Sequence, residues 1–212
     1  CTGLKPGDTV VDVGCGTGGF LASIADLYTA VGLDVSDTAI AYCRRRGIKQ
    51  LYKTTLEDFS PQGLNIKALL MLDVIEHIDD DGSVVARAYD LLPPGGYLIA
   101  SVPAYQWLWS THDDLHMHKR RYTRKRFEDL LTGRGFSIVK STYFNTFLLP
   151  AAVVKRLLEK NKKYESAHDV VDRVSPGMNS LLRTVFAMEA PLLTRMSLPF
   201  GLSVFAIARK PL

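Results

Sequence analysis

The stretch Thr9–Phe20, TVVDVGCGTGGF, carries the strongest chemical signal in the chain. An apolar run ends at Asp12 and Val13, and Gly14, Gly16, Gly18 and Gly19 follow in quick succession. Glycines at a strand-to-helix turn tolerate positive φ and let a ligand lie against bare backbone N–H groups at the helix start. Gly14, Gly16 and Gly19 satisfy G-x-G-x-x-G, and Asp34 falls 22 positions after Asp12, close to where nucleotide sites place a ribose-binding carboxylate. A pyrophosphate at this loop would be repelled by Asp12, two residues before the first glycine. An acid in that place suits a ligand that carries positive charge and no phosphate.

A second group of reactive side chains lies in MLDVIEHIDDD and in ASVPAYQWLWSTHDDLHMHKRRYTRKRF. Asp73, Glu76 and His77 leave the carboxyl end of an expected strand, where doubly wound sheets place ligands, and a base for the substrate belongs there. Asp79–Asp81 also read as caps for the following helix. Arg120 and Arg121 can clamp an acceptor's phosphate or carboxylate through bidentate bonds, or pair with Asp113 and Asp114. Trp107 and Trp109 wall the acceptor pocket or fill core.

These residues need a frame. Valine- and isoleucine-rich runs alternate with helix-period segments, the pattern of βα units and a parallel sheet. Strands are expected near 9–13, 30–34, 49–54, 67–73, 96–102, 136–143 and 203–209, with helices near 18–28, 37–46, 80–92 and 123–133. The last two strands are separated by helical segments instead of another βα repeat, so a helical insert spans about 145–200 within a single domain of residues 1–212. It holds FLLPAAVV, a polar bridge from Asn161 to Ser175, LLRTVFAMEAPLLTRMSLPFG, and the cations Lys155, Arg156, Lys160, Lys162 and Lys163.

The 212 residues are 47% hydrophobic and 23% charged, which excludes a disordered or collagen-like chain. A net charge of +4 is too weak to argue for nucleic acid, which is not an expected partner, but suits anionic acceptors or a membrane surface. Three cysteines without metal-ligand spacing imply a reducing compartment, so the expected location is cytoplasmic, with the inner face of the membrane as the variant. The longest uncharged stretch, Ser141–Val154, is shorter than the roughly 20 residues that cross a bilayer. The chain opens on Cys1 without a methionine, and upstream residues are expected.

VVDVGCGTGG followed by GLDVS resembles the first two motifs of class I S-adenosylmethionine-dependent methyltransferases, and the resemblance extends over nearly the whole chain. It implies an α/β, Rossmann-like, seven-stranded and mostly parallel sheet whose last strand is antiparallel. The implied cofactor, S-adenosylmethionine, has a sulfonium and an ammonium group and no phosphate, which answers the question Asp12 poses; S-adenosylhomocysteine is the product. Gly14, Cys15, Gly16 and Gly18 are implied at the methionine end, and Asp34 with Val35 at the ribose. Leu56 with Glu57 or Asp58 is implied at the adenine, and Asp73 and Val74 complete the set. The family's usual Asp-Ala pair after the third strand is here part of TTLEDFSP, a departure from the pattern.

MLDVIEHIDDD resembles the fourth methyltransferase motif in its Asp-Val-x-Glu-His form, and His118–Thr123 resembles an H-x-R-R-Y-T segment of bacterial methyltransferases encoded beside glycosyltransferases. Arg120, Arg121 and Tyr122 of this segment, with Trp107, are the expected acceptor-binding residues. Ubiquinone-pathway O-methyltransferases and small-RNA 2′-O-methyltransferases carry a comparable Glu-His pair with a later histidine. In the small-RNA enzymes the arrangement binds a divalent metal, so Asp73, Glu76, His77 and either His116 or His118 form a candidate mixed site. The alternative is a metal-free cluster in which His118 or His77, beside Glu76, deprotonates a hydroxyl. The expected reaction is methyl transfer, through oxygen, to a small or lipid-linked acceptor, with a sugar among the candidates. Its rivals are a nicotinamide-dependent oxidoreductase and a non-catalytic scaffold or sensor. The insert is read as a lid over a greasy acceptor, a peripheral membrane contact, or core and homodimer interface.

Overall fold

The first strand, β1 (Thr9–Val13), is buried at four of its five positions, as a near-continuous apolar run must be when helices cover both faces of a sheet. In the computed structural model, which describes residues 2–159 and 176–212, the chain continues as α1 (Gly19–Ile24), β2 (Thr29–Asp34), α2 (Asp37–Arg45), β3 (Gln50–Lys53) and β4 (Ile66–Leu72). Then come α3 (Asp81–Leu91), β5 (Tyr97–Pro103), α4 (Thr111–Leu115), α5 (Arg124–Thr132), β6 (Ser137–Phe144), α6 (Leu149–Glu159), α7 (Pro176–Arg195) and β7 (Ser203–Arg209). The expected bridge 161–175 and the cations Lys160, Lys162 and Lys163 lie outside the described residues.

The seven strands make one sheet in the order β3-β2-β1-β4-β5-β7-β6. Strands β1 to β5 pair in parallel, and β7 runs antiparallel to both β5 and β6. The strand order reverses between β1 and β4, because β2 and β3 add on one side while β5 adds on the other. Ligands of doubly wound sheets bind in the crevice beyond such a switch point, at the carboxyl ends of the strands. Here those ends deliver Gly14 from β1 and Asp73 from β4.

The helices are fixed by local chemistry. Ser36 accepts from the Ala39 N–H at the start of α2, with Asp37 in its first turn and Arg44 and Arg45 in its last, all matched to the helix dipole. Asp80 caps α3 through the Ser83 N–H, as the acidic run predicts. Helix α1 stops at Ile24, short of the expected 18–28. Both Leu27 and Tyr28 return their N–H groups to the Ile24 carbonyl, and the Thr29 N–H is already paired with Asp8 as β2 begins.

Between β6 and β7 the insert forms the helices α6 and α7. Glu189 of α7, nearly fully buried, accepts from the N–H groups of Asn145 and Phe147 at 2.7 Å each, tying the helix to the loop that leaves β6. Beyond α7, Ser197 donates to the Ser141 carbonyl and the Leu198 N–H donates to the Thr142 hydroxyl. Phe147, Val154, Phe186, Met188, Leu192, Met196 and Phe200 stay exposed, an apolar surface around the insert. Among the described residues no helix is long and apolar enough to cross a membrane.

Candidate active site

The loop from β1 to α1 turns through three left-handed glycines, Gly14, Gly16 and Gly18, with φ of 67°, 53° and 71°. A side chain at Gly14 would strike Val74 at 2.8 Å, so the loop lies directly against the segment that leaves β4. A Cβ at Gly16 would meet nothing within 4 Å, which leaves bare backbone facing open space. Asp34 closes the loop from the side: its Oδ2 accepts from the Gly16 N–H and its Oδ1 from the Ser36 N–H, both at 2.9 Å. A carboxylate has about four lone-pair sites, so two stay free for a diol. Val35 beside it is 63% exposed, an apolar side chain with nothing covering it.

Asp12 is buried beneath this loop, and no cationic side chain pairs with it among the described residues. Burial, followed by repulsion from Asp34, pushes its carboxyl up to about 7. An open backbone cradle, a ribose-type acid and a buried carboxylate without a cation fit a positively charged nucleoside ligand. Cys15 contributes only backbone to this cradle. Its side chain turns into an apolar cluster with Leu21, Cys43 and Ile48, and its sulfur lies 3.6 Å from that of Cys43.

Past Val74 the chain makes a short 3₁₀ turn, Ile75–His77, that presents Glu76 and His77. The loop carrying His118 is stitched to this segment through Lys119, Arg120 and Tyr122. The Lys119 N–H donates to the Glu76 carbonyl at 2.7 Å, Arg120 donates to the Asp79 carbonyl and pairs with Asp81, and the Tyr122 hydroxyl donates to Asp81. The rings of His77 and His118 therefore meet edge to face at 4.7 Å between centroids. Glu76, His77 and His118 each offer a ligand-type atom, all within 4.8 Å of one another.

Asp113, a residue to which sequence reasoning gave no site role, holds the centre of this network. Fully buried, it accepts the Arg121 fork at 2.7 and 2.9 Å, the Ser110 N–H and hydroxyl, and contacts His118 Nδ1 at 2.9 Å. Burial alone would raise its carboxyl, but the hydrogen bonds and charge of Arg121, with the hydrogen bonds of His118 and Ser110, outweigh that and hold it at about 2. With Nδ1 so engaged, His118 keeps Nε2 for a proton or a ligand. Burial and the neighbouring His118 lower His77, so its imidazole is neutral at neutral pH. Glu76 is pushed up to about 8, chiefly by burial.

The other expected site residues are placed differently. Arg121 spends its fork on Asp113 and donates a third bond to the Ala104 carbonyl, while Arg120 is taken up by Asp81 and Asp79, so neither guanidinium is free to clamp an acceptor. Tyr122 is fully buried in the core and offers no face to a ligand. Leu56 also packs into the core, where its carbonyl accepts from Arg87, and Glu57 beside it is exposed. Asp73 accepts from the Ser101 hydroxyl at 3.0 Å and stands outside the Glu76–His77–His118 group, as does His116, whose ring packs on His112. Neither tryptophan is in the core: Trp107 is 61% exposed against Tyr105, and Trp109 donates to Asp114. Asp73, Tyr105 and Met117 adopt positive φ around this crevice, and left-handed non-glycine residues concentrate at functional sites.

Comparison with known proteins agrees with the geometry. A methyltransferase-domain family model matches residues 2–141. The chain belongs to this family, and its fold is that of the S-adenosylmethionine-dependent methyltransferases among the solved structures it resembles. A ubiquinone biosynthesis O-methyltransferase of Methylococcus capsulatus is 33% identical over 104 residues, 45% of this chain and 43% of that protein. The chain spans about half or less of the length of the curated relatives it matches. Among solved structures, the Haemonchus contortus phosphoethanolamine N-methyltransferase 2 in complex with S-adenosylmethionine is 18% identical with a TM-score of 0.60, over 99% of this chain and 50% of that one. The [4+2]-cyclase SpnF is 20% identical with a TM-score of 0.62, over 100% of this chain and 78% of its own. At these identities the likeness is one of fold, and a cyclase among the neighbours means that the acceptor chemistry has to be argued from the site.

A cofactor cation seated against Asp12, as the sequence leads one to expect, would give the site a pH signature. A cation beside it needs the ionised form, so affinity for S-adenosylhomocysteine rises as pH climbs through the raised value of about 7. Binding is expected to be roughly tenfold weaker at pH 6 than at pH 8, and Asp12→Asn should make the profile flat. Calorimetry at the two pH values checks this, and a flat wild-type profile would contradict it. The sign for folding is opposite: burial of an ionised Asp12 weakens the ligand-free protein as pH rises from the ordinary 3.8 to about 7.

Proposed function

We propose that the protein transfers the sulfonium methyl of S-adenosylmethionine to a hydroxyl oxygen of a small or lipid-linked acceptor, and that this hydroxyl loses its proton at the Glu76, His77 and His118 cluster. The observation that carries the reading is the position of His118: one ring nitrogen is held by a buried, ionised Asp113, and the ring packs against His77 beside the glycine loop. Such a pairing fixes the orientation of the ring and leaves Nε2 facing the cluster. The bound cofactor supplies an activated methyl, so placing the acceptor oxygen in line provides much of the rate, and the protein needs to add only orientation and a sink for the proton.

Support for the acceptor class is indirect. The name of the Methylococcus relative states an O-methyltransferase. The apolar side chains exposed on α6, α7 and their flanks suit an acceptor with a greasy part, or a membrane surface that presents one. A second copy of the chain is the other candidate for that face.

His118→Ala is the direct test. It should leave S-adenosylhomocysteine affinity within about twofold of wild type and lower methyl transfer by roughly 100-fold or more, the usual range for loss of a proton-transfer group. Turnover would be followed with labelled cofactor on an acceptor taken from a screen that begins with lipid-linked sugars and phenols. Unchanged turnover would remove the cluster from the chemistry.

A further inference from the structure

A cleft opens at the edge of the sheet, away from the glycine loop. Strand β6 ends the strand order, three strands beyond β4, or about 14 Å at the usual strand spacing. The first half of β6, the start of α5 and the end of α7 border an open space of about 480 Å³, whose lining includes Arg124, Glu128, Lys140, Ser141, Arg195 and Met196. The register of β6 shifts between Ile138 and Lys140. Plain alternation would send Lys140 and Ser141 to opposite faces of the strand, whereas a bulge re-aims side chains and lets both line one cleft.

The lining is cationic and only partly paired. Lys140 is steadied by the Leu193 carbonyl, which takes one of its three ammonium protons. Arg124 meets Glu128 one turn along α5 at 3.4 Å, with side chains 39% and 31% exposed, and a pair of that kind is weak enough to yield to a better partner. Arg195, exposed at the end of α7, pairs with no acid among the described residues. Three cations against one carboxylate leave an excess of two positive charges. Ser141 adds a neutral donor: it is buried, and its hydroxyl has no hydrogen-bond partner. Buried hydroxyls are normally hydrogen bonded, and this one, on the wall of a cationic cleft, is free to donate to a ligand oxygen.

We infer that this cleft binds a phosphate monoester. A monoester carries about −1.5 to −2 charges at pH 7, which matches the positive excess, whereas a diester carries one. Guanidinium forks with an ammonium beside them are the groups that recognise phosphate oxygens. Val139 and Met196, also in the lining and 44% and 54% exposed, give apolar contact to the organic part of the ester. The site stands apart from the methyl-transfer reading, since none of its side chains belongs to the cofactor loop or to the Glu76, His77 and His118 cluster.

The test uses the intact chain with glycerol 3-phosphate as probe. Calorimetry should give one equivalent bound, with dimethyl phosphate, a singly charged diester, at least about tenfold weaker. Arg195→Gln, at an exposed position where folding is spared, should weaken the monoester about tenfold through loss of one charge-assisted contact. Ser141→Ala removes a hydroxyl that has no partner in the free protein, so the melting temperature should hold or rise while affinity for the ester drops several-fold. S-adenosylhomocysteine affinity should stay at the wild-type value in both variants. Vesicles of phosphatidylcholine with and without phosphatidic acid distinguish the source of the phosphate. Retention on phosphatidic acid that glycerol 3-phosphate displaces assigns it to a lipid headgroup, and binding of the soluble ester without retention assigns it to a soluble ligand. Absence of binding to either form, equal affinity for the diester, or binding indifferent to both substitutions overturns the site.

Discussion

Asp34→Ala is expected to weaken S-adenosylhomocysteine binding by about 100-fold or more while the protein stays folded. In the ligand-free loop the carboxylate already accepts from Gly16 and Ser36 and so fixes the glycine turn, and its remaining lone pairs are the ones proposed to meet a ribose diol. Each charge-assisted hydrogen bond to the diol is worth about 1.5–3 kcal/mol, and two of them account for that factor before any loosening of the loop. Asp34→Asn should fall between the two, since the amide keeps the shape but replaces one acceptor by a donor. Calorimetric titration, with thermal melting as the control for folding, checks this. Wild-type affinity in the alanine variant would show that the ribose lies elsewhere.

The second large effect concerns stability. Asp113→Ala should lower the melting temperature by roughly 10 °C or more, because it strands a nearly buried guanidinium: the Arg121 side chain is 12% exposed and loses both bonds of its fork. Breaking one partner of a buried pair costs about 3–5 kcal/mol, and about 1 kcal/mol moves the melting point of a protein this size by about 2–4 °C. The same argument has a pH signature with a definite sign. The Asp113 carboxyl is held at about 2, below its ordinary 3.8, so its contribution is complete above the ordinary value and disappears as pH falls through about 2. Denaturation of wild type and variant should therefore differ widely at pH 7 and converge in strong acid. Equal stability at pH 7 would mean that the network does not hold the His118 loop.

The strands and the cofactor loop were readable because both are written in local residue types. The closing strand lies at Ser203–Arg209, where its apolar run predicts it, and the turn of Gly14, Gly16 and Gly18 needs positive φ that few other residues adopt. What the sequence could not display is where a side chain points. Arg120 and Arg121 look the same whether they face an anionic acceptor or their own Asp81 and Asp113, since the chemistry of the fork is identical. Tyr122 and Leu56 are drawn into the core by apolar area, and Cys15 by the pocket around Cys43. Helix α4 was legible in principle: Ser110 and Asp113 form a reciprocal capping box, a spacing visible in STHD. Its role in holding His118 was not, because that depends on a fold that brings residues 110–121 back over the end of β4.

The central claim is that the glycine loop, Asp12 and Asp34 bind S-adenosylmethionine chemistry and not a dinucleotide. Isothermal titration of the intact chain with S-adenosylhomocysteine and, in parallel, with NADH tests it most directly. The structure predicts one micromolar site for S-adenosylhomocysteine and no heat from NADH. Binding of NADH with none of S-adenosylhomocysteine would contradict the assignment of Asp12 to a cationic ligand and with it the function proposed for this crevice.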